Sequence, residues 1–243
     1  MKRRVIGKRA VHEALLAQGE LHVVYVSEKG GAGLADLVNL ARRTRIAVEE
    51  VSSVFLSHLA KDLPHQGIVA IAGSYSYMTL ETLCESAEAG PKHIVALDEI
   101  TDPHNLGAII RSAVAFGFLG IIIPRHRAAS VTATVVRASA GCTERARVAR
   151  VSNISKALTF LREQHGYEAV GLDAQAEIPL QALAASDRNR VLVVGSEGRG
   201  LRRLVSEHCD QLVRIDMKGR VNSLNASVAA AIAMYSLSTA PVP

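Results

Sequence analysis

The sequence has little of what marks a chain built for a membrane, an oxidising compartment or a fibre. Only 4% of its 243 residues are aromatic and three are cysteine. Cys84, Cys142 and Cys209 are odd in number, far apart and form no C-x-x-C, so they indicate neither a disulfide framework nor a zinc knuckle. They read as buried small hydrophobes in a reducing compartment. No apolar run approaches the roughly 18 residues of a membrane helix, and the Ala-rich stretch from Ala226 to Leu237 is broken by Ser227 and Ser236. Met1-Lys2-Arg3-Arg4 resembles the basic end of a signal peptide, but Lys8, Arg9, His12 and Glu13 stand where its apolar segment belongs. The chain therefore reads as cytoplasmic. Internal repeats and low-complexity segments are also lacking.

What is present is the composition of a globular protein, 49% hydrophobic and 21% charged, long enough for one large α/β domain or two small ones. The formal net charge of +5 permits a polyanionic partner. Of the 28 basic residues 21 are Arg, whose planar fork suits phosphate, although a solvated surface accounts equally for so modest an excess.

Along the first 70 residues or so, the pattern predicts helices at Val11 to Leu16, Leu34 to Leu40 and Val54 to Ala60, with strands at Leu21 to Val26, Ile46 to Val51 and Ile68 to Ala72. This gives a compact domain over 1–73, followed by a linker over 74–90 that begins Ser74-Tyr75-Ser76-Tyr77. In the remainder, 91–243, apolar strands at Ile94 to Leu97, Gly120 to Ile123, Val148 to Val151, Ala169 to Leu172, Val191 to Val194 and Leu212 to Ile215 alternate with helices. The helices are expected at Leu106 to Phe116, Val131 to Ala140, Ser155 to Gln164 (capped by Ser152 or Asn153), from Leu201, and at Leu224 to Leu237. Continuous apolar strands between helices predict a mostly parallel α/β sheet covered on both faces, with ligands at the carboxyl ends of its strands.

Three loops stand at those ends. Gly195-Ser196-Glu197-Gly198-Arg199-Gly200 opens a helix, where glycines let backbone N–H groups approach a nucleotide-like ligand. Its G-x-x-G-x-G spacing is not the dinucleotide fingerprint, and Leu201-Arg202 replaces the Lys-Ser/Thr of a P-loop. In the loop from Asp98 to Gly107, Pro103 bars Asp102 from helical geometry and Asn105 is the expected N-cap. Arg111, two turns in, either points to a ligand at the strand ends or is an ion-paired surface residue. The third segment runs from Ile215 to Ser227, and Asn222 or Ser223 is expected to cap the helix it opens.

Taken in order, these segments resemble the three signature motifs of the SPOUT class, in its TrmH/SpoU family of RNA ribose 2′-O-methyltransferases. The first, N-x-G-x-x-x-R, stands as Asn105, Gly107 and Arg111, and the second, G-[SAN]-E-x-x-G, as Gly195, Ser196, Glu197 and Gly200. The third, I-P-M-x-G-x-x-x-S-L-N-V-S, stands as Ile215, Met217, Gly219, Ser223, Leu224, Asn225 and Ser227, with Asp216 for the usual Pro and Ala226 for the usual Val. The opening from Ile6 to Leu15 and the turn His65-Gln66-Gly67 are similar to the substrate-binding domain of the RlmB-type subfamily, which methylates a guanosine of 23S rRNA in the peptidyl-transferase P loop.

The resemblance implies a small L30e-like α/β substrate-binding domain, and a parallel-sheet methyltransferase domain ending in a deep trefoil knot. It also implies S-adenosylmethionine as cofactor, a homodimer and no metal. By motif, Gly195, Gly200, Ile215, Met217 and Leu224 would bind the cofactor. Arg111 would serve the reaction as a phosphate clamp that orients the hydroxyl, with Asn105, Glu197, Ser223 and Asn225 shaping the site. Lys2, Arg3, Arg4, Lys8 and Arg9, together with Arg125, Arg127, Arg145 and Arg199, are candidate RNA contacts. The resemblance implies methylation of 23S rRNA; the alternatives are the same chemistry on a tRNA ribose and a catalytically silent RNA-binding protein of this fold.

Overall fold

The computed structural model describes residues 2–17, 19–61, 63–86, 92–183, 188–219 and 223–238. In chain order the elements are β1 (Arg3–Ile6), α1 (Lys8–Leu16), β2 (Leu21–Ser27), α2 (Leu34–Arg43), β3 (Ala47–Val51), α3 (Ser53–Ala60), β4 (Ile68–Ala72), α4 (Leu80–Glu85) and β5 (Ile94–Leu97). There follow α5 (Pro103–Ala115), β6 (Gly120–Pro124), α6 (Ala133–Ala138), β7 (Val148–Val151), α7 (Ile154–His165), β8 (Glu168–Leu172) and β9 (Ile178–Pro179). The chain closes with β10 (Arg190–Val194), α8 (Arg203–Ser206), β11 (Gln211–Arg214) and α9 (Ala226–Ser238). They form two compact units, one of residues 1–76 with 130–145, the other of 77–129 with 146–243.

The first unit is a four-stranded mixed sheet in the order β1-β4-β2-β3, antiparallel at β1/β4 and β2/β4 and parallel at β2/β3. Strand β1 carries Arg3 and Arg4 and so gives no apolar pattern. It is an edge strand, and buried Val5 and Ile6 place it. The His65-Gln66-Gly67 turn has a local purpose. The imidazole Nδ1 of His65 accepts from the Gly67 N–H at 3.1 Å, and Gln66 Oε1 accepts the Lys8 N–H at 3.1 Å, satisfying a donor at the start of α1. The segment 130–145 belongs here rather than with the sheet around it in sequence. Helix α6 packs on β1, and Gly141, at φ +87°, passes so close to α1 that a Cβ would lie 2.8 Å from Ala10 Cα. The predicted helix from Val131 to Ala140 is cut to six residues: Thr132 stands extended at its N-cap, and beyond its end Ala140 and Gly141 both turn left-handed.

The second unit is a seven-stranded, wholly parallel sheet in the order β7-β6-β5-β10-β8-β11-β9. Every residue of β5, β6 and β10 is buried, as central strands covered on both faces require. Ile94, Ile122, Val191 and Val193 pack with Leu158 and Leu161 of α7, each such side chain contributing about 1.5–3 kcal/mol by burial. Helix α7 runs from the Asn153 cap, whose side chain accepts the Lys156 N–H, to a left-handed Gly166. The expected linker is partly structured. Thr79 caps α4, whose Leu80 and Leu83 are buried in this core. Burial pushes the Cys84 thiol up to about 11 and that of Cys209 to about 12, so neither is a thiolate at neutral pH. Among the described residues no helix is long and apolar enough to cross a membrane.

Candidate functional site

Helix α5 begins at Pro103, not at Asn105 as cap. Asp102 takes the cap, its carboxylate accepting the N–H groups of His104 (3.0 Å) and Asn105 (3.3 Å), with Pro103 at the first helical position. Asn105 is thereby released to face inward, where it is buried. Its Oδ1 accepts Asn225 Nδ2 at 2.9 Å, and the same amide reaches Glu197 Oε2 at 3.4 Å. Asn225 Oδ1 in turn accepts the N–H groups of Ser227 (2.9 Å) and Val228 (3.3 Å). The cap of α9 is thus Asn225, not Ser223, while Asn222 lies outside the described residues. One side chain joins all three motifs and brings the N-termini of α5 and α9, each with a positive dipole end, to one place.

The glycine turn is closed on itself by reciprocal bonds, Ser196 N–H to Gly200 O at 3.1 Å and Gly200 N–H to Ser196 O at 2.9 Å. A Cβ on Gly195 would lie 2.1 Å from the Gly200 carbonyl carbon, so this position admits no side chain. The chain leaving the turn is fixed by Asp98 at the end of β5, which is fully buried. Its carboxylate accepts the Arg202 N–H at 2.9 Å and Nε at 2.8 Å. This holds Arg202 extended, and α8 begins at Arg203 rather than Leu201. The bond to Asp98 in turn raises the Arg202 pKa above its ordinary value.

Between this turn and the segment after β11 lies a cavity of about 320 Å³. Gly195, Gly200, Ile215, Met217 and Leu224 all line it, as do Glu197 and Ser223. Asp216 does not: its carboxylate turns to Arg214 Nε at 3.0 Å. Arg111 is not brought to the cavity either. It stands on the exposed face of α5, makes no ion pair with a described residue, and lies about 9 Å along the helix from Asn105. Among the candidate RNA contacts, Arg199 lines the cavity, whereas Arg127 pairs with Glu99 at 3.5 Å and Arg145 with Glu13 at 2.7 Å. The sequence reading missed the wall formed by Leu172 at the end of β8, Asp173 and Gln175 after it, and Ala226 and Ala229 of α9. The carboxyl end of a predicted strand was the available signal for the first three.

A cavity of this size at the carboxyl ends of a wholly parallel sheet is where covered α/β proteins bind small molecules. The chain belongs to the SpoU rRNA methylase family, whose model matches residues 92–235, while the model of the RNA 2′-O ribose methyltransferase substrate-binding domain matches residues 4–78. It is thus a methyltransferase of the SpoU/TrmH family, acting on RNA. A Bacillus subtilis protein, YacO, assigned by its name to the TrmH family of tRNA/rRNA methyltransferases, is 41% identical over 236 residues, 95% of this chain and 93% of that one. A Mycobacterium avium protein named as an uncharacterized tRNA/rRNA methyltransferase is also 41% identical, over 96% of this chain and 76% of its own length. In fold, the chain is similar to the SpoU methyltransferase AviRb from Streptomyces viridochromogenes, solved with AdoMet (TM-score 0.82, 23% identity, 98% of this chain and 89% of that one).

Proposed function

We propose that the protein transfers a methyl group from S-adenosylmethionine to the ribose 2′-hydroxyl of a guanosine in the peptidyl-transferase P loop of 23S rRNA, in the cytoplasm. The observation that carries this reading is the Asn225 amide, which joins Asn105 to Glu197 beside a cavity lined by the second and third motifs. The cavity fits the cofactor: its volume lies within the roughly 300–1,000 Å³ of small-molecule sites, Met217 and Leu224 give apolar walls, and the close-packed turn at Gly195 offers backbone groups. The family's name and a substrate-binding domain ahead of the catalytic one favour rRNA over tRNA.

When bound, the cofactor supplies a methyl group already activated on a sulfonium, so no metal is needed. Backbone groups near Gly195, Ile215 and Leu224 hold the adenine, and Gly200 keeps the turn closed. Glu197, Ser223, Asn105 and Asn225 shape the side from which the nucleotide enters. Arg111 offers a planar fork of N–H donors and no acceptor, so it clamps an RNA phosphate and polarises the 2′-hydroxyl rather than acting as a base. The 2′-hydroxyl proton would be released to solvent.

The position of Arg111 away from the cavity supports a homodimer. Val228, Ile232 and Tyr235 form an exposed apolar stripe on α9, at 47%, 41% and 58% exposure, and α9 packs against α5. A second copy seated there covers the stripe and completes the site around Arg111. The order in which α9 returns from β11 onto α5 and β10 supports the C-terminal trefoil knot.

The test is transfer of labelled methyl from S-adenosylmethionine to unmodified 23S rRNA and to bulk tRNA, by the wild type and by Arg111→Ala, with mapping of the product. A 2′-O-methylguanosine in the P loop, lost in the variant, is expected. Label in tRNA overturns the substrate, and cofactor binding without label in either RNA overturns both.

A further inference from the structure

Another cavity of the second unit is larger than the one described above. A groove of about 790 Å³ lies at the carboxyl ends of β6 and β7, lined by Arg125, Arg150, Lys156, Tyr77 and Phe160 among others. Its floor is laid by residues 77–79, which run alongside β7, with Met78 N–H bonded to Val148 O at 2.9 Å. Elsewhere in this unit five cations are matched to carboxylates: Arg162 to Asp210, Arg190 to Glu168, Arg202 to Asp98, Arg203 to Glu207 and Arg214 to Asp216. Those of the groove are not. Arg125 and Lys156 are exposed and make no ion pair with a described residue. Arg150 spends its Nη2 on the Arg125 carbonyl at 3.1 Å and lies over the Tyr77 ring at 4.7 Å, while its Nε is buried with no hydrogen-bond partner among the described residues. The one carboxylate on the wall, Glu81, is bonded to Thr79 beside it and to its own backbone.

Unmatched cations beside aromatic rings in an open groove are the elements of a single-stranded nucleic acid track, in which cations follow the phosphates and rings take base faces. The groove shares the carboxyl rim of the sheet with the cofactor cavity. Strands β7 and β10 are three strand spacings apart, about 14 Å. A strand of RNA lying along that rim would reach from one to the other within a few nucleotides.

We propose that this groove is a second RNA-binding site, which takes the single-stranded segment flanking the nucleotide to be methylated. Arg125 and Lys156 hold its phosphates, and Tyr77 and Phe160 pack against its bases. The choice of substrate rests on the reading of the chain as an RNA methyltransferase; the binding test below does not depend on it.

The experiment compares the wild type with the double variant Arg125→Ala, Lys156→Ala. Binding of a fluorescein-labelled single-stranded RNA is followed by anisotropy across a salt series. The expected loss of affinity is roughly tenfold, and loss of two phosphate contacts flattens the log–log salt slope by about 1.4. Unchanged melting temperature and unchanged S-adenosylmethionine binding by calorimetry would show that the fold and the other cavity are intact. Photo-crosslinking of thiouridine-labelled RNA to the wild type is expected at peptides containing Tyr77 or Phe160. Wild-type affinity and slope in the variant, crosslinks confined to other peptides, or no RNA binding by the wild type would each overturn the groove. If the wild type binds the RNA through the groove but methylates neither rRNA nor tRNA, the enzymatic reading fails and the groove stands. With active enzyme, the variant should raise KM for rRNA and leave kcat nearly unchanged.

Discussion

Asn225 does two things with one amide, and each is separable by substitution. Its Oδ1 caps α9 and its Nδ2 holds Asn105 and Glu197. Asn225→Ala removes both and is expected to cost about 1–2 kcal/mol, visible as a lower denaturant midpoint, together with most of the methyl transfer. Asn225→Asp keeps the cap but presents a carboxylate to Glu197, so it should recover the midpoint while activity stays low. A second residue contributes to the acid limb of stability. Burial holds His93 below its ordinary value of 6.5, aided by the Arg190 charge and opposed by a hydrogen bond with the Leu237 backbone. The folded state thus favours neutral imidazole, and its advantage is complete above about 6.5 and lost as the pH falls toward the folded value. The melting temperature of the wild type should fall more steeply than that of His93→Gln between about pH 6.5 and pH 5.

Among elements, the clamp between the end of β5 and the start of α8 carries the glycine turn. Asp98 is wholly buried and Arg202 only half, so the two ends of the pair are not equivalent. Arg202→Ala leaves a carboxylate in the core without its partner and should destabilise by about 2–3 kcal/mol, with weaker cofactor binding by calorimetry. Asp98→Asn, which keeps an acceptor for the Arg202 N–H, should cost less than Arg202→Ala. These elements also show what the sequence makes legible. Apolar runs such as Ile94 to Leu97 and Val191 to Val194 announce buried parallel strands, because nothing else accommodates them. The caps were displaced by a few residues, from Asn105 to Asp102 and from Ser223 to Asn225, since Asn, Asp and Ser offer similar local chemistry. The contact between Asn105 and Asn225, 120 residues apart in sequence, engages the Asn105 side chain and leaves the cap of α5 to Asp102. Strand β1 escaped because pairing with β4, not its own pattern, makes it a strand. The cavity-lining motif residues were legible through the resemblance to the family's motifs, whereas the displacement of Arg111 from the cavity depends on helical phase against packing.

For the whole molecule, the path of the chain matters more than the number of units. It leaves the first unit after Ser76, returns to it at Ser130 and leaves again after Arg145. Within that unit the returning segment supplies Glu144 to Arg3, whose carboxylate partner is itself almost wholly buried, and Arg145 to Glu13. A fragment ending at Ser76 therefore lacks α6, the Gly141 approach to α1 and the partner of Arg3. Its circular dichroism should show no cooperative melt, whereas the full chain should give a cooperative one.

The same path bears on recombination. Enzymes of this kind invite exchange of one specificity module for another, and a single crossover near residue 76 looks like the natural seam. Because the module is interleaved, such a chimera would carry a helix evolved against a different partner sheet. Only a double exchange, replacing 130–145 together with the N-terminal segment, transplants it whole.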